Sequence, residues 1–280
     1  MFLVNGTLTD GCQVADRGLQ YGDGVFETIL VQKLTPVLWK EHLTRLEKGC
    51  CALGIPYLVD REVLLSRVLA LIDLWCESHS SSDNRYVIKI IVTRGSGGRG
   101  YRPPGKVNPT EIVAVYPAPS FSSELYLHGV AVRTLKTPVS QNLLLAGHKH
   151  LNRLDQVIAS AELEEDEFEG IMCLPDGQLI EGTRSNILVR IKGRWITPEL
   201  SLAGVNGVVR QYLLAKSEKL GLKVEEGRLG QAELAGIQAM ALMNSVFGII
   251  PVNRFNETEL DVYSVLQEVQ DKIHKEIPFF

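Results

Sequence analysis

No apolar run in these 280 residues reaches the length of a membrane span. The opening stretch, Met1-Phe-Leu-Val-Asn-Gly6, has no basic start and no long apolar segment, so a secretory leader is not expected there. A basic excess is also missing. The 29 Lys and Arg stand against 33 Asp and Glu, and this argues against a nucleic-acid binder. Cysteine is sparse and odd in number. Cys12, Cys50, Cys51, Cys76 and Cys173 match no zinc spacing, so no metal is expected and a reducing cytoplasm fits best. There is no internal repeat, and the one low-complexity piece, residues 78–82, reads as a surface loop. What the chain does have is 45% hydrophobic residues, enough for a large core in one large or two ordinary domains.

Strand and helix patterns are mixed along the chain. Phe2-Leu-Val4 reads as a strand turned at Asn5-Gly6. Strands are expected at 25–32, 86–93 and 111–116, and helices at 41–53, stopped by Gly54, and at 62–77. Pro117-Ala-Pro119-Ser-Phe-Ser-Ser is the best domain boundary. Domains are therefore placed at 1–117 and 129–280, with a linker over 118–128. Beyond it come a strand at 130–135, a helix at 151–165, and hairpins around Pro175-Asp-Gly177 and Lys192-Gly-Arg194. A helix over 208–220 is expected to be capped by Asn206 and closed by Gly221. A long apolar strand region at 239–252 and a terminal helix at 260–277 complete the pattern. Strands and helices do not alternate strictly, so the fold class is α+β in two domains, not a doubly wound parallel sheet.

Several motifs invite chemistry. Gly95-Ser-Gly-Gly-Arg-Gly100 matches a dinucleotide fingerprint by letter, but Tyr101-Arg-Pro-Pro104 cannot begin the helix that this fingerprint requires. It is either a flexible loop or a mobile lid offering Arg94 and Arg99 to a carboxylate. Lys149 follows the apolar run Leu143-Leu-Leu-Ala-Gly147, where burial would lower its pKa toward that of a nucleophilic amine. A lone lysine is more often a solvated surface residue. The flanking His148 and His150 lack the further ligands of a metal site. Glu181 sits at a strand end, where an acid could hold a protonated pyridine nitrogen, or simply face solvent. Gly204-Val-Asn-Gly207 precedes a helix, and its amides and dipole suit a phosphate, although a plain glycine turn reads the same. The three glycines in Gly18 to Gly24 indicate only a tight turn.

Taken together, three segments resemble the fold-type IV pyridoxal 5′-phosphate (PLP) enzymes. These are Tyr21-Gly-Asp-Gly-Val-Phe-Glu-Thr28, Thr93-Arg-Gly-Ser-Gly-Gly-Arg-Gly-Tyr101 and Gly147-His-Lys-His-Leu-Asn-Arg-Leu-Asp-Gln156. That family holds branched-chain and D-amino-acid aminotransferases and aminodeoxychorismate lyases, and the second and third segments look like the lyases. The resemblance runs from Asn5 to about Val252. It implies a Schiff-base lysine at Lys149, an acid facing the pyridine nitrogen at Glu181, and a phosphate-gripping arginine at Arg45. It also implies phosphate-binding amides at Val205 and Asn206 and a phosphate hydroxyl at Ser245. Ser185 and Asn186 would lie near the ring, and Thr28 would handle a proton near the leaving group. Arg94, Arg99 and Arg153 are the candidates for the two substrate carboxylates, with no choice among them. Asn206-Gly207 stands where aminotransferases of the family often have a threonine–arginine pair. The expected reaction is elimination from 4-amino-4-deoxychorismate to give 4-aminobenzoate and pyruvate, in folate biosynthesis. A smaller N-terminal and a larger C-terminal domain, with PLP between them, and a homodimer are implied. The alternative is a D-amino-acid or branched-chain aminotransferase on the same scaffold.

Overall fold

A computed structural model describes residues 1–79 and 84–279. Most of the expected serine loop, residues 80–82, lies outside the described residues, while Ser78 and His79 end a helix. The chain divides into two compact units. Unit 1 holds residues 1–119 and 148–152, and unit 2 holds 120–147 and 153–279. Among the described residues no helix is long and apolar enough to cross a membrane.

Unit 1 is built on an antiparallel sheet. Its strands are β1 (Phe2–Val4), β2 (Thr7–Leu8), β3 (Gly24–Gln32), β4 (Thr35–Pro36), β5 (Arg85–Thr93) and β6 (Thr110–Pro117), in the order β2-β1-β6-β5-β3-β4. Asn5 and Gly6 both take positive φ, which gives the expected tight hairpin. Three helices accompany the sheet: α1 (Arg17–Tyr21), α2 (Trp39–Leu53) and α3 (Arg61–His79). Leu43, Leu46 and Cys50 of α2, and Leu64, Val68, Leu71 and Ile72 of α3, recur at helical spacing and are buried. They share a core with Val25, Ile29 and Val31 of β3 and with Tyr86, Ile88, Ile90 and Val92 of β5. Strand alternation therefore sends Val25, Glu27 and Ile29 toward the helices and leaves Phe26 and Thr28 on the other face.

The glycine-rich opening of this segment is more than a turn. Asp16 caps α1 by accepting from Gly18 N, and Gly22 (φ +65°) ends it. The Asp16 carboxylate also accepts from Thr93 Oγ1 (2.9 Å) and Thr110 Oγ1 (2.7 Å). Asp23 is shared by two buried guanidinium groups. Arg17 Nε donates to it at 2.8 Å, and Arg94 Nε and Nη2 at 2.7 and 3.0 Å. Burial pushes the Asp23 carboxyl up, but the hydrogen bonds and charges of Arg94 and Arg17 outweigh this and hold it below its ordinary value. Arg17 also donates to the carbonyls of Gly100 and Tyr101, which pins the loop after β5 to α1.

Unit 2 carries a mixed sheet in the order β12-β11-β10-β13-β14-β7-β8-β9, with β15 added to β14. The strands are β7 (Val130–Thr134), β8 (Glu169–Cys173), β9 (Leu179–Gly182), β10 (Asn186–Ile191), β11 (Arg194–Pro198), β12 (Val224–Gly227), β13 (Ile237–Asn244), β14 (Gly248–Phe255) and β15 (Thr258–Glu259). The helices include α4 (Ser123–His128), α5 (Leu154–Ser160), α6 (Val208–Lys216) and α7 (Gln231–Leu234). A last helical stretch runs through Val262–Ser264, a π-helical Val265–Gln270 and Asp271–Glu276.

Four expectations need correction. The linker 118–128 contains α4, capped by Ser122 Oγ on Glu124 N. The helix expected at 151–165 is confined to α5, because the chain before it is extended: Leu151 N bonds Gly24 O, and Phe26 N bonds Lys149 O. The apolar run 239–252 is two strands, since Asn244 Oδ1 accepts from Val246 N and Phe247 N and turns the chain. Asn206 does not cap α6; Gly207 occupies that position, with no side-chain cap.

Asp23→Ala would leave Arg17 and Arg94 buried without their shared counter-charge. A loss of about 3–5 kcal/mol in unfolding free energy is expected from chemical denaturation. A variant as stable as the parent would show that this pair of ion contacts does not hold the loop.

Candidate functional site

In unit 1 the segment 148–151 runs along β3, with Val25 and His150 bridged. This places Lys149 over the face of β3 that carries Phe26 and Thr28. Lys149 Nζ lies 4.4 Å from the centroid of the Phe26 ring. Lys149 is half-buried, with the apolar Phe26 ring beside its Nζ. Thr28 is half-buried on the same face, and its neighbour across β5 is Lys89. Lys89 Nζ lies 5.2 Å from the same Phe26 centroid, and among the described residues it has no carboxylate partner. Sequence reasoning missed Lys89. The signal was a lysine in the middle of the β-branched run from Tyr86 to Thr93.

The opposite face of β3 carries Glu27, which is fully buried. Arg45 donates to its two oxygens through Nε (2.8 Å) and Nη2 (2.5 Å), and His42 Nδ1 approaches Oε2 at 2.6 Å. Burial raises the Glu27 carboxyl, but the charge and hydrogen bonds of Arg45, with those of His42, bring it down to about 2. His42 is pushed below its ordinary value by burial, against the pull of Glu27.

Arg94 does not serve as expected. Besides its two bonds to Asp23, Nη1 donates to Gly54 O (2.8 Å) and Nη2 to Leu53 O (2.6 Å). Its side chain is buried and spent on the fold, so a role in gripping a substrate carboxylate is withdrawn. Arg99 remains exposed on the loop.

In unit 2, Glu181 on β9 is 4% exposed. Its Oε1 accepts from Gln156 Nε2 (3.2 Å) and its Oε2 from Val205 N (2.8 Å). It is not the surface carboxylate of the plainer reading. Arg153, which precedes α5, is half-buried; burial lowers its pKa, and the charges of Glu181 and Asp155 oppose that.

The start of α6 is not the open amide cup that was expected. Val205 N is taken by Glu181, Asn206 N by Gly147 O (3.0 Å), and Gly207 N by Asn186 Oδ1 (3.1 Å). Asn186 Nδ2 donates to Val205 O (2.8 Å), so this side chain braces the turn from both sides. A Cβ on Gly207 would come within 2.0 Å of Asn186 Oδ1, which explains a glycine there. Asn206 Oδ1 accepts from Arg210 Nη1 (2.9 Å), four residues on. Ser185 Oγ donates to the buried Glu169 (3.0 Å), which also accepts from Thr183 N and Oγ1. Ser185 and Asn186 therefore brace the fold around β9 and the start of α6. Ser245 is half-buried in the turn between β13 and β14.

The class IV amino-transferase profile matches residues 24–255. An aminodeoxychorismate lyase of Vibrio harveyi is 33% identical over 260 residues, covering 92% of this chain and 93% of that protein. The crystal structure of 4-amino-4-deoxychorismate lyase from Pseudomonas aeruginosa superposes with a TM-score of 0.89 at 37% identity, covering all of both chains. A D-alanine aminotransferase of Bacillus licheniformis is 28% identical over 255 residues, covering 89% and 86% of the two chains. The similarity spans both units and all three glycine- and lysine-bearing segments, and the chain belongs to the class IV amino-transferase family.

Proposed function

We propose that this chain is a PLP-dependent lyase that converts 4-amino-4-deoxychorismate to 4-aminobenzoate and pyruvate. The observation that carries the reading is full-length likeness to two aminodeoxychorismate lyases; the half-buried Lys149 and the buried Glu181 support it. The donor set fits the coenzyme. Lys149 offers an amine, Glu181 a buried carboxylate, and Arg45 a guanidinium for a phosphate. Because the amides of Val205 and Asn206 already have partners, Arg45 is the principal phosphate ligand in this reading, and Ser245 contributes a hydroxyl. When bound, PLP supplies an electron sink for the charge left on the amine-bearing carbon.

Lys149 Nζ takes the proton from that carbon of the substrate. Glu181 keeps the heterocycle's nitrogen protonated; Gln156 fixes its carboxylate. The bond between the adjacent ring carbon and the enolpyruvyl oxygen then breaks. The six-membered carbon ring becomes aromatic, and the departing enolpyruvate takes up a proton as pyruvate. Thr28 Oγ1, on the face of β3 shared with Lys149, delivers a proton to the leaving oxygen. Lys89 joins Arg99 and Arg153 as a cation for the substrate carboxylates, in place of Arg94.

Lys149→Ala should fold and lose 4-aminobenzoate formation by roughly a thousandfold, followed by product fluorescence; Glu181→Gln should lose about a hundredfold while retaining PLP. Product formation by Lys149→Ala at the parental rate would sink the assignment. Robust glutamate formation from an amino acid and 2-oxoglutarate, with no 4-aminobenzoate, would turn it toward an aminotransferase.

Lys89→Met tests the added cation. KM for aminodeoxychorismate should rise about tenfold, the worth of one charged hydrogen bond, with kcat less affected. An unchanged KM would remove Lys89 from the substrate site.

The quaternary state belongs to the same reading. Leu154, Val157 and Ile158 lie on one side of α5, and all are exposed, as are Leu143 and Leu144 in the turn before it. An apolar helix face left outward suits burial against a second copy of the chain. Sedimentation should give a homodimer that Leu154→Asp weakens; a parental chain that sediments as a monomer would count against it. All five cysteines are unpaired thiols, in keeping with the cytoplasm.

A further inference from the structure

Glu27 has no part in the chemistry above, yet its carboxylate is one of the most enclosed charges in the chain. Burying a carboxylate without partners is costly, so its neighbours reveal its use. Arg45 meets it through two parallel N–H bonds, the fork geometry that fixes a guanidinium in plane and direction. His42 Nδ1 takes the remaining approach to Oε2. His42 Nε2 is buried and has no hydrogen-bond partner among the described residues. A neutral imidazole meets both facts, with its one proton on Nδ1 and directed at Glu27. The cluster then holds one negative and one positive charge. It is balanced inside, and the flexible arginine has lost its freedom to swing.

We infer that Glu27 is a positioning residue that fixes Arg45 in the orientation needed to grip the phosphate of the coenzyme, with His42 locking the carboxylate from its other side. This rests on the reading that PLP binds and that Arg45 faces its phosphate. A phosphate dianion gains most from a guanidinium already aimed at it, because no side-chain ordering is left to do on binding. Glu27 makes no contact with the coenzyme in this scheme and acts only through Arg45. A merely structural carboxylate would support the fold and leave selectivity for the phosphate unchanged. That difference is measurable.

The test is titration of the full-length apoenzyme, followed by absorbance, with PLP and separately with pyridoxal, which lacks the phosphate. Four proteins are compared: parent, Glu27→Gln, Arg45→Met and the double variant. Glu27→Gln should weaken PLP about tenfold or more and pyridoxal by less than about twofold. In the Arg45→Met background, adding Glu27→Gln should change PLP affinity no further. If both ligands weaken alike, or the effect of Glu27→Gln persists without Arg45, the inference is overturned. Should Glu27→Gln fail to fold by circular dichroism, Glu27→Asp keeps the charge but cannot keep both prongs. It should weaken PLP about threefold or more and spare pyridoxal, and parental affinity in that variant would overturn the inference. A parent that binds no PLP at Lys149, checked by borohydride trapping, would bring down the proposed function and this inference with it. A parent that binds PLP, with Glu27→Gln equal to it, would bring down this inference alone.

Discussion

Two carboxylates four residues apart, Asp23 and Glu27, organise unit 1. Each is buried or nearly so, and each must find cations or be neutralised. Asp23 collects Arg17 and Arg94, and through them the loop carbonyls at Leu53, Gly54, Gly100 and Tyr101. Glu27 collects Arg45 and His42 from α2. Between and beside these anchors, Phe26 and Thr28 are held on the opposite face of the same strand, toward Lys149 and Lys89. The need to partner buried charge on one side of β3 thus fixes which side chains stand on the other.

Most strands and the long helices were legible, because the signals are local. Tyr86, Ile88, Ile90 and Val92 alternate, Leu43, Leu46 and Cys50 recur at helical spacing, and Asn5-Gly6 and Lys192-Gly193 supply positive φ. The misses are where a non-local bond decides. Nothing within residues 148–153 says that the chain should lie along β3, since Gly24 and Phe26 are more than a hundred positions away. The short α1 was hidden because a five-residue helix has too few turns to show a period. The break in the apolar run at Asn244 could have been read, since asparagine's side chain competes readily for nearby amides.

The site was legible mainly through resemblance. Lys149 and Glu181 have no distinguishing local pattern, and only the surrounding segments single them out. Arginine roles were the least readable. Sequence shows that Arg94 borders a glycine loop, but not that its guanidinium turns inward to Asp23 and two carbonyls. Lys89 erred in the opposite direction. It looked like an ordinary strand lysine, and only strand pairing with Thr28 and the shared Phe26 ring place it on the face that carries Lys149.

The start of α6 bears on which groups would hold the phosphate in the proposed reading. A helix N-terminus attracts an anion when its N–H groups lack partners. At Val205, Asn206 and Gly207 each of these groups already donates, to Glu181, Gly147 and Asn186. A phosphate that took over such an amide would replace one hydrogen bond with another, and the net gain from an exchange of this kind is only about 0.5–1.5 kcal/mol even when it is favourable. Taking the amide of Val205 would also release Glu181 from the bond that orients it. In the proposed reading the anion falls to a charged guanidinium instead: Arg45 on α2 is aimed by Glu27 on β3, and Glu181 keeps its bonds to Gln156 and Val205 N. In the proposed reading, holding an anion and holding a proton fall to different carboxylates, Glu27 and Glu181, with different partners.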